Sequence, residues 1–272
     1  MNTPSEKKGM LEREERIKCI TQGMESYFRT FSLAHNMYVH SGDIEWITPR
    51  TGYTGPSVVF RVALDERTAQ SRIEGMLTDL KARTIPSLWV ISPTSTPANL
   101  IDLLRSVGFV GGSEPEHPEP GMALDLATFS VKPEPRASIR IAKVDSLAEF
   151  SQWIDVVNTA LHGWDMLSAE HYAAWLYDHI YEFYLGYDNG TPVATYATLQ
   201  TGETASIEFV STLMPYRHRG TATALGVRAL RDLQQKGVRT VTLHAFSEAI
   251  SLYERLGFKS YYQLAVLSFP RI

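Results

Sequence analysis

The pattern of apolar and polar positions in the first half of the chain alternates between a helical and a strand period. Ile17, Ile20 and Met24 recur at three- and four-residue spacing, which places them on one face of a helix. The predicted helices of this half are at about residues 11–35, 65–82 and 97–107. The predicted strands are at about residues 37–40, 57–64 and 87–92. This mixture of elements indicates an α/β protein.

The second half of the chain shows the same mixture. A β-hairpin is predicted over 182–199, because Asp188, Asn189 and Gly190 form a turn signal between two β-prone runs. The other predicted strands are at about residues 138–144, 206–213, 239–245 and 261–269. The other predicted helices are at about residues 145–162, 168–179, 221–236 and 247–256.

Two irregular segments indicate where the chain divides. GGSEPEHPEPG (111–121) predicts a polar loop, and VKPEPRAS (131–138), with its two prolines, predicts an extended linker. A length of 272 residues corresponds to about two domains at roughly 150 residues each. The similar helix ends LLRSVGF (103–109) and LYERLGF (252–258) favour two related domains. The predicted domains are 1–135 and 136–272.

Composition narrows the classes of function. The chain has 26 Lys and Arg and 30 Asp and Glu, and its formal charge of −4 argues against a general nucleic-acid binder. The single cysteine, Cys19, cannot form an internal disulfide and suits a reducing cytoplasm. There is no run of about 18 apolar residues and no apolar signal-peptide core, so we expect no membrane partner. The sequence contains no cluster of Cys and His residues, so no metal site is predicted.

The segment 211–230 predicts a strand, a short turn and an amphipathic helix. A helix start carries unpaired backbone N–H groups and a partial positive charge, and Gly220 lets a ligand approach the backbone closely. Arg217 and Arg219 add permanent charge. The arrangement suits a pyrophosphate, but the same short pattern also fits a solvated basic turn that only begins a helix. It is neither a P-loop nor a dinucleotide fingerprint, because the required glycines are missing.

The order of strand, Arg217-x-x-Gly220-x-Ala222, helix, strand and LYERLGF resembles the acyl-CoA-binding core of the GNAT N-acetyltransferases. This resemblance covers about 138–272. It implies an α/β fold with a central mixed, mostly antiparallel sheet flanked by helices, and acetyl-CoA as co-substrate without a metal.

The first half also resembles a GNAT domain, so the implied architecture is a tandem of two. LWVISPTSTPANLIDLLRSVGF followed by PGMALDL is similar to the N-terminal domain of two-domain members. This half has no phosphate loop before a helix, and Leu104 stands where the second half has Tyr253. We therefore expect the first half to be a degenerate partner domain that binds no acyl-CoA.

The resemblance assigns the contacts with acyl-CoA to the second half. The loop would hold the pyrophosphate through backbone N–H groups, and the end of the preceding strand would pair with the pantetheine arm. An N–H near Val210 would stabilise the tetrahedral oxyanion. The implied binding residues are Val210, Ser211, Thr212, Arg217, His218, Arg219, Gly220, Thr221 and Ala222.

The resemblance also implies catalytic roles. Tyr253 occupies the family position that protonates the departing thiolate, although a tyrosine on an amphipathic helix is often a core residue. Glu208 is one candidate base, on the same face as Val210 and Thr212 if no bulge intervenes. His244 on the neighbouring strand is the other candidate base. A chain of waters without a single base is the remaining alternative.

The predicted function is acetyl-CoA-dependent N-acetylation of a small-molecule or peptide amine, by direct attack in a ternary complex. The alternative is a non-catalytic acyl-CoA-binding or protein-interaction module. The run His162-Gly163-Trp164-Asp165 lies where the family builds its acceptor pocket, so Trp164 either lines that pocket or fills the core. The sequence leaves the acceptor, the acyl chain preference and the oligomeric state open.

Overall fold

The structure is a computed structural model that describes residues 4–113, 116, 118–130 and 139–270. In the first helix, side chains are described from Gly9 onward. The helices α1 to α8 are Pro4–Thr30, Ala69–Gly75, Leu77–Ala82, Leu100–Ser106, Leu147–Val157, Ala173–Tyr177, Thr221–Gln235 and Ile250–Arg255. The strands β1 to β13 are Met37–His40, Ile44–Pro49, Val58–Val62, Leu88–Ile91, Val110–Gly112, Pro120–Asp125, Arg140–Lys143, Glu182–Asp188, Thr191–Thr201, Thr204–Thr212, Thr240–His244, Lys259–Gln263 and Ala265–Ser268.

Two mixed sheets flanked by helices form the fold, which confirms the predicted α/β class. The first sheet has the order β1-β2-β3-β4-β13-β5, and the second has the order β12-β6-β11-β10-β9-β8-β7. Each sheet combines antiparallel neighbours with a single parallel step, β3–β4 in the first and β10–β11 in the second. The predicted hairpin is confirmed as β8 and β9, which pair across the turn at Asn189 and Gly190.

The two sheets exchange strands. β6 comes from the first half of the chain but lies between β11 and β12 of the second sheet, where Gly121 pairs with His244. β13 ends the described chain but lies between β4 and β5 of the first sheet, where Leu267 pairs with Trp89. Each sheet therefore depends on a strand from the other half for its backbone hydrogen bonds.

The exchange explains why the predicted single strand over 261–269 is wrong. The chain leaves β12 in the second sheet and enters β13 in the first sheet with only Leu264 between them. Leu264 is buried, and its N–H donates to the carbonyl of Glu119, the residue that precedes β6. The two exchanged strands are thus tied together where they cross between the sheets.

Several other sequence predictions need correction. β2 was not predicted, although Ile44, Trp46 and Ile47 are buried in it. The single helix over 65–82 is two short helices that meet at Met76. The predicted loop over 111–121 includes the end of β5 and the start of β6, because these strands find partners that are distant in sequence.

The domain boundary near residue 135 stays a prediction. The predicted linker 131–138 lies outside the described residues. Helix α1, from the first half, packs on β10, β11 and β6 of the second sheet. At Gly23 the helix approaches so closely that an added Cβ would lie 2.6 Å from the Thr242 hydroxyl oxygen and 3.2 Å from the Cβ of Ser206.

The first prediction concerns the exchanged strand β6. A Cβ on Gly121 would lie 2.6 Å from the Tyr262 ring and 3.0 Å from Ile20. We expect Gly121→Ala to reduce the free energy of unfolding by about 1–3 kcal/mol, because the crowded neighbours must move. Thermal unfolding followed by circular dichroism measures the change. Gly75→Ala is the matched control, since nothing lies within 4 Å of a Cβ at that exposed helix end. Equal free energies of unfolding for the two variants would contradict the close packing around β6.

Candidate active site

The two parallel strands of the second sheet separate after a short paired segment. β10 and β11 pair only from Thr204 with Thr240 to Ser206 with Thr242. Beyond that register β10 continues to Thr212 and β11 to His244 without further pairing between them. Both strands are described in full, so the separation leaves a gap in the sheet whose edges carry free backbone N–H and C=O groups.

A β-bulge turns β10 at the mouth of this gap. The register with β9 shifts between Glu208 and Ser211, and Phe209 has a left-handed φ of 52°. The Thr195 hydroxyl donates to the Phe209 carbonyl at 2.8 Å and lies 2.6 Å from the Ser211 hydroxyl. Because the Thr195 proton is used on the carbonyl, Ser211 is the donor between the two hydroxyls. These bonds hold a backbone conformation that is unfavourable for phenylalanine.

The bulge overturns the expected alternation along β10. Glu208 was expected to share a face with Val210 and Thr212, on the condition that no bulge intervened. Phe209 instead packs into the core beneath α1 and α5, whereas Val210 packs against the core beneath α7. The condition fails, and Glu208 and Val210 are no longer related by simple alternation.

A cavity of about 1350 Å³ extends through the gap between β10 and β11. Its lining includes β10 from Ser206 to Thr212, the start of α7 and Tyr253 of α8. The first half of the chain contributes α1, β3 and β4 to the same cavity. Sequence reasoning missed this contribution, because local patterns carry no signal for a helix that packs on strands about 200 residues away.

The start of α7 presents a row of free amide groups to the cavity. Gly220 caps the helix with a left-handed φ of 79°, and the first backbone bond into it runs from Ala224 N–H to the Gly220 carbonyl. The N–H groups of residues 218–223 donate to no carbonyl or side chain among the described residues. Nothing lies within 4 Å of where a Cβ on Gly220 would be, so an anion can reach these groups.

The two arginines of the loop have different surroundings. The Arg217 side chain lines the cavity, but its guanidinium donates to the carbonyls of Thr212 at 2.9 Å and Ala160 at 3.1 Å. It therefore braces the loop against β10 and the π-helical turn Asn158–His162. Arg219 lies over the Tyr216 ring at 5.4 Å and is not among the residues that line the cavity. Among the described residues, the backbone amides rather than these guanidinium groups are free for a phosphate.

Tyr253 lies deep in the cavity wall. Its side chain is buried against Phe258 in an edge-to-face contact at 5.6 Å. Burial and then the negative charge of Glu208 raise the pKa of the Tyr253 hydroxyl, so it stays protonated at neutral pH. No hydrogen bond to this hydroxyl is found within the described part of the chain. It is therefore a protonated donor without a partner at the cavity.

The two candidate bases differ in their surroundings. Glu208 is half-buried in the cavity wall, and desolvation raises the pKa of its carboxyl from 4.5 to about 8, with no Lys or Arg of the described residues beside it. Burial lowers the pKa of His244 to about 4, and its Nε2 hydrogen-bonds the Tyr262 hydroxyl at 2.9 Å. Glu208 therefore has the affinity for a proton that a base needs near neutral pH, and His244 has much less.

Of the run 162–165, which the resemblance places at the acceptor pocket, His162 lies at the cavity and Trp164 does not. His162 lines the cavity, and burial lowers its pKa, while its Nε2 has no hydrogen-bond partner among the described residues. Trp164 neither lines the cavity nor fills the core, since 52% of its surface is exposed. Leu104, at the position that corresponds to Tyr253, is completely buried in an apolar core.

Comparison with known proteins finds a family match in the second half. The model of the Acetyltransferase (GNAT) family matches residues 147–258, in agreement with the resemblance seen in the sequence. No curated protein matches the chain.

Solved structures show that the likeness in fold extends over nearly the whole chain. A GCN5-related N-acetyltransferase from Kribbella flavida superposes with a TM-score of 0.65 at 16% identity, covering 92% of this chain and 95% of that one. A GCN5-related N-acetyltransferase from Sphaerobacter thermophilus gives 0.59 at 18% identity, with 87% and 77% covered. A glucosamine N-acetyltransferase region of a fungal GH3 β-N-acetylglucosaminidase gives 0.63 at 11% identity, with 94% and 37% covered.

The part of the chain that the structure describes contains no group of three or more His, Cys, Asp or Glu side chains placed to hold a metal ion. None of its helices is both long enough and apolar enough to cross a membrane.

The second prediction tests the free amides at the start of α7. We expect Gly220→Val to weaken acetyl-CoA binding about tenfold or more, because the new side chain occupies the open space in front of these amides. Isothermal titration calorimetry measures the affinity. Gly190→Val is the matched control: its φ of 84° is similar and its surroundings are equally open, but it lies in the β8–β9 turn outside the cavity. Equal affinities in the two variants would contradict the assignment.

Proposed function

We propose that the protein is an N-acetyltransferase that transfers the acetyl group of acetyl-CoA directly to an amine in a ternary complex. One observation carries the proposal. A single cavity through the gap between β10 and β11 contains free amides for an anion, a protonated Tyr253 and a Glu208 carboxyl without a counter-ion. The match of residues 147–258 to the GNAT family model supports it.

The proposed contacts with acetyl-CoA follow the cavity from the helix start to the bulge. The amides of residues 218–223 bind the pyrophosphate, with the partial positive charge of α7 behind them. The unpaired edge of β10 from Val210 to Thr212 hydrogen-bonds the pantetheine arm as a neighbouring strand would. An N–H at the bulge near Val210 stabilises the oxyanion that forms on the thioester carbonyl.

Proton transfers accompany the attack. The acceptor reaches the cavity mainly as an ammonium ion and gives a proton to the Glu208 carboxylate, directly or through one water. The amine nitrogen then forms a bond to the acetyl carbon, and the carbon–sulfur bond breaks. Tyr253 gives its proton to the departing sulfur, and the second proton that the nitrogen loses as the amide forms returns to Tyr253 through cavity water. No acyl-enzyme forms, and Cys19 is not among the residues that line the cavity.

The proposal also covers His244, the first half of the chain and the location of the protein in the cell. His244 is the weaker candidate for the base, because its low pKa leaves it a poor proton acceptor and Tyr262 occupies its Nε2. The first half binds no acyl-CoA, in keeping with the apolar burial of Leu104. We also propose a cytoplasmic location, which rests on the single cysteine of the sequence.

The third prediction tests Tyr253 as the acid. We expect Tyr253→Phe to lower kcat by about 10- to 100-fold, with little change in the KM for acetyl-CoA, because only the proton donor is lost. Thiol release from acetyl-CoA in the presence of an amine measures the rate. Tyr196→Phe is the matched control, since the Tyr196 hydroxyl is buried, has no partner among the described residues and does not line the cavity. Full kcat in Tyr253→Phe at pH 7 would leave Tyr253 as a core residue only.

The fourth prediction tests Glu208 as the base through pH. Only the ionised carboxylate accepts a proton, so kcat/KM should rise with pH and level off above a pKa of about 8. In Glu208→Gln this limb should disappear and the rate should fall about 100-fold or more. Glu254→Gln, exposed on α8 and outside the cavity, should keep the wild-type profile.

The pH dependence of protein stability tests the Glu208 carboxyl independently of activity. Its pKa is about 8 in the folded protein and 4.5 ordinarily, so the unfolded chain loses its proton first as pH rises. The folded state is therefore destabilised progressively between pH 4.5 and 8. Glu208→Gln should gain thermal stability over the wild type across that interval. A pH-independent difference would show that the carboxyl is not desolvated.

A further inference from the structure

Charged side chains of both signs line the cavity. Among the described residues, Arg217 and Arg255 are the only Lys or Arg side chains in the lining, and both lie on the segments that flank the gap on the α7 and α8 side. Three carboxylates, Glu119, Glu208 and Glu248, also line the cavity. Glu248 is exposed on the segment before α8, whereas Glu119 and Glu208 have no compensating cation among the described residues. Glu119 lies immediately before β6. Two residues later, at Gly121, an added Cβ would lie 3.0 Å from Ile20, so this part of the chain packs closely against α1. The part of the cavity that holds Glu119 and Glu208 thus favours a cationic group.

The wall beside the carboxylates is apolar and comes from the first half of the chain and from β13. It includes Met24, Phe28, Val58, Leu88, Val90 and Val266, and Tyr27 of α1 adds one phenol hydroxyl to this side of the cavity. From the segments of the first sheet, Ser57 is the only side-chain hydroxyl among the described lining residues, and it is bonded to the Thr48 hydroxyl at 3.0 Å. This wall offers hydrophobic contact and almost no hydrogen bonds to a ligand.

We propose that the acceptor is a small primary amine with a compact apolar body, of the arylalkylamine or branched alkylamine class. This inference rests on the proposed function and names the substrate of the same cavity. The ammonium group lies between Glu208 and Glu119, and the apolar body lies against the wall of the first sheet and α1. On transfer the nitrogen gives one proton to Glu208 and forms a bond to the acetyl carbon, and the carbon–sulfur bond breaks. The sulfur takes the proton of Tyr253, and the second proton lost by the nitrogen restores the Tyr253 hydroxyl.

Other classes of amine fit these surroundings poorly. A polyamine has further cationic groups, which would lie against Leu88, Val90 and Val266 without carboxylates to meet them. An amino sugar has several hydroxyls, which would lose their hydrogen bonds to water against the same wall. The apolar wall therefore selects against both classes, and the two carboxylates select against neutral ligands.

Three probes compare these classes directly: 2-phenylethylamine, spermidine and glucosamine. With acetyl-CoA as donor, we expect kcat/KM for 2-phenylethylamine to exceed both others by about tenfold or more. A preference for spermidine or glucosamine would overturn the acceptor inference and leave the acetyltransferase proposal standing. If no probe is acetylated, calorimetric binding of 2-phenylethylamine decides the inference separately: selective binding supports the apolar pocket, and its absence overturns it.

A substitution in the apolar wall of the cavity provides a second test of the acceptor proposal. Leu88 is 39% exposed at the start of β4 and lines the cavity, so Leu88→Asn should fold and place a polar group against the apolar body. We expect the KM for 2-phenylethylamine, or its Kd if turnover is absent, to rise about tenfold, with the affinity for acetyl-CoA unchanged. Val110→Asn is the matched control, since Val110 is also exposed on the first sheet but lies outside the cavity. An unchanged constant for 2-phenylethylamine in Leu88→Asn would overturn the placement of the apolar body.

Discussion

The separation of β10 from β11 is the constraint on which the active-site geometry depends. The parallel pairing ends at Ser206 and Thr242, and the bulge at Phe209 turns β10 away from its neighbour. The bonds of Thr195 to the Phe209 carbonyl and to Ser211 hold that turn in place. The groups to which we assign the chemistry line the cavity at this gap: the free amides of α7, the Tyr253 hydroxyl and the Glu208 carboxyl. A sheet paired along its full length would close this space and leave no route between the two faces.

The exchange of β6 and β13 connects the first half of the chain to the proposed site in the second half. β6 supports β11 on the side away from the gap, and β13 brings Val266 to the cavity wall. Helix α1 covers the face on which Glu208 lies, and its close approach at Gly23 fixes the position of that cover. The first half thus contributes the apolar wall against which we place the acceptor. The exchanged strands also join it to the second sheet through backbone hydrogen bonds.

The predictions from sequence succeeded where the signal is local. Gly220 before an amphipathic run identified the start of α7, and Asn189-Gly190 identified the β8–β9 turn, because caps and turns depend on a few adjacent residues. They failed where the cause lies in distant contacts. The bulge at Phe209 depends on Thr195 of another strand, and β6 is a strand only because β11 and β12 accept it. The same reason hid Glu119 and the wall of the first sheet, since no local pattern brings either to the cavity.

The most direct test of the account is a crystal structure of the protein with acetyl-CoA. We predict one molecule per chain, with its pyrophosphate on the amides of residues 218–223 and its arm along Val210 to Thr212. The thioester should lie within reach of the Tyr253 hydroxyl and on the route to Glu208. Acetyl-CoA bound instead against the first sheet near residues 57–82, or a second molecule there, would contradict the central claim that the gap between β10 and β11 is the one acyl-CoA site.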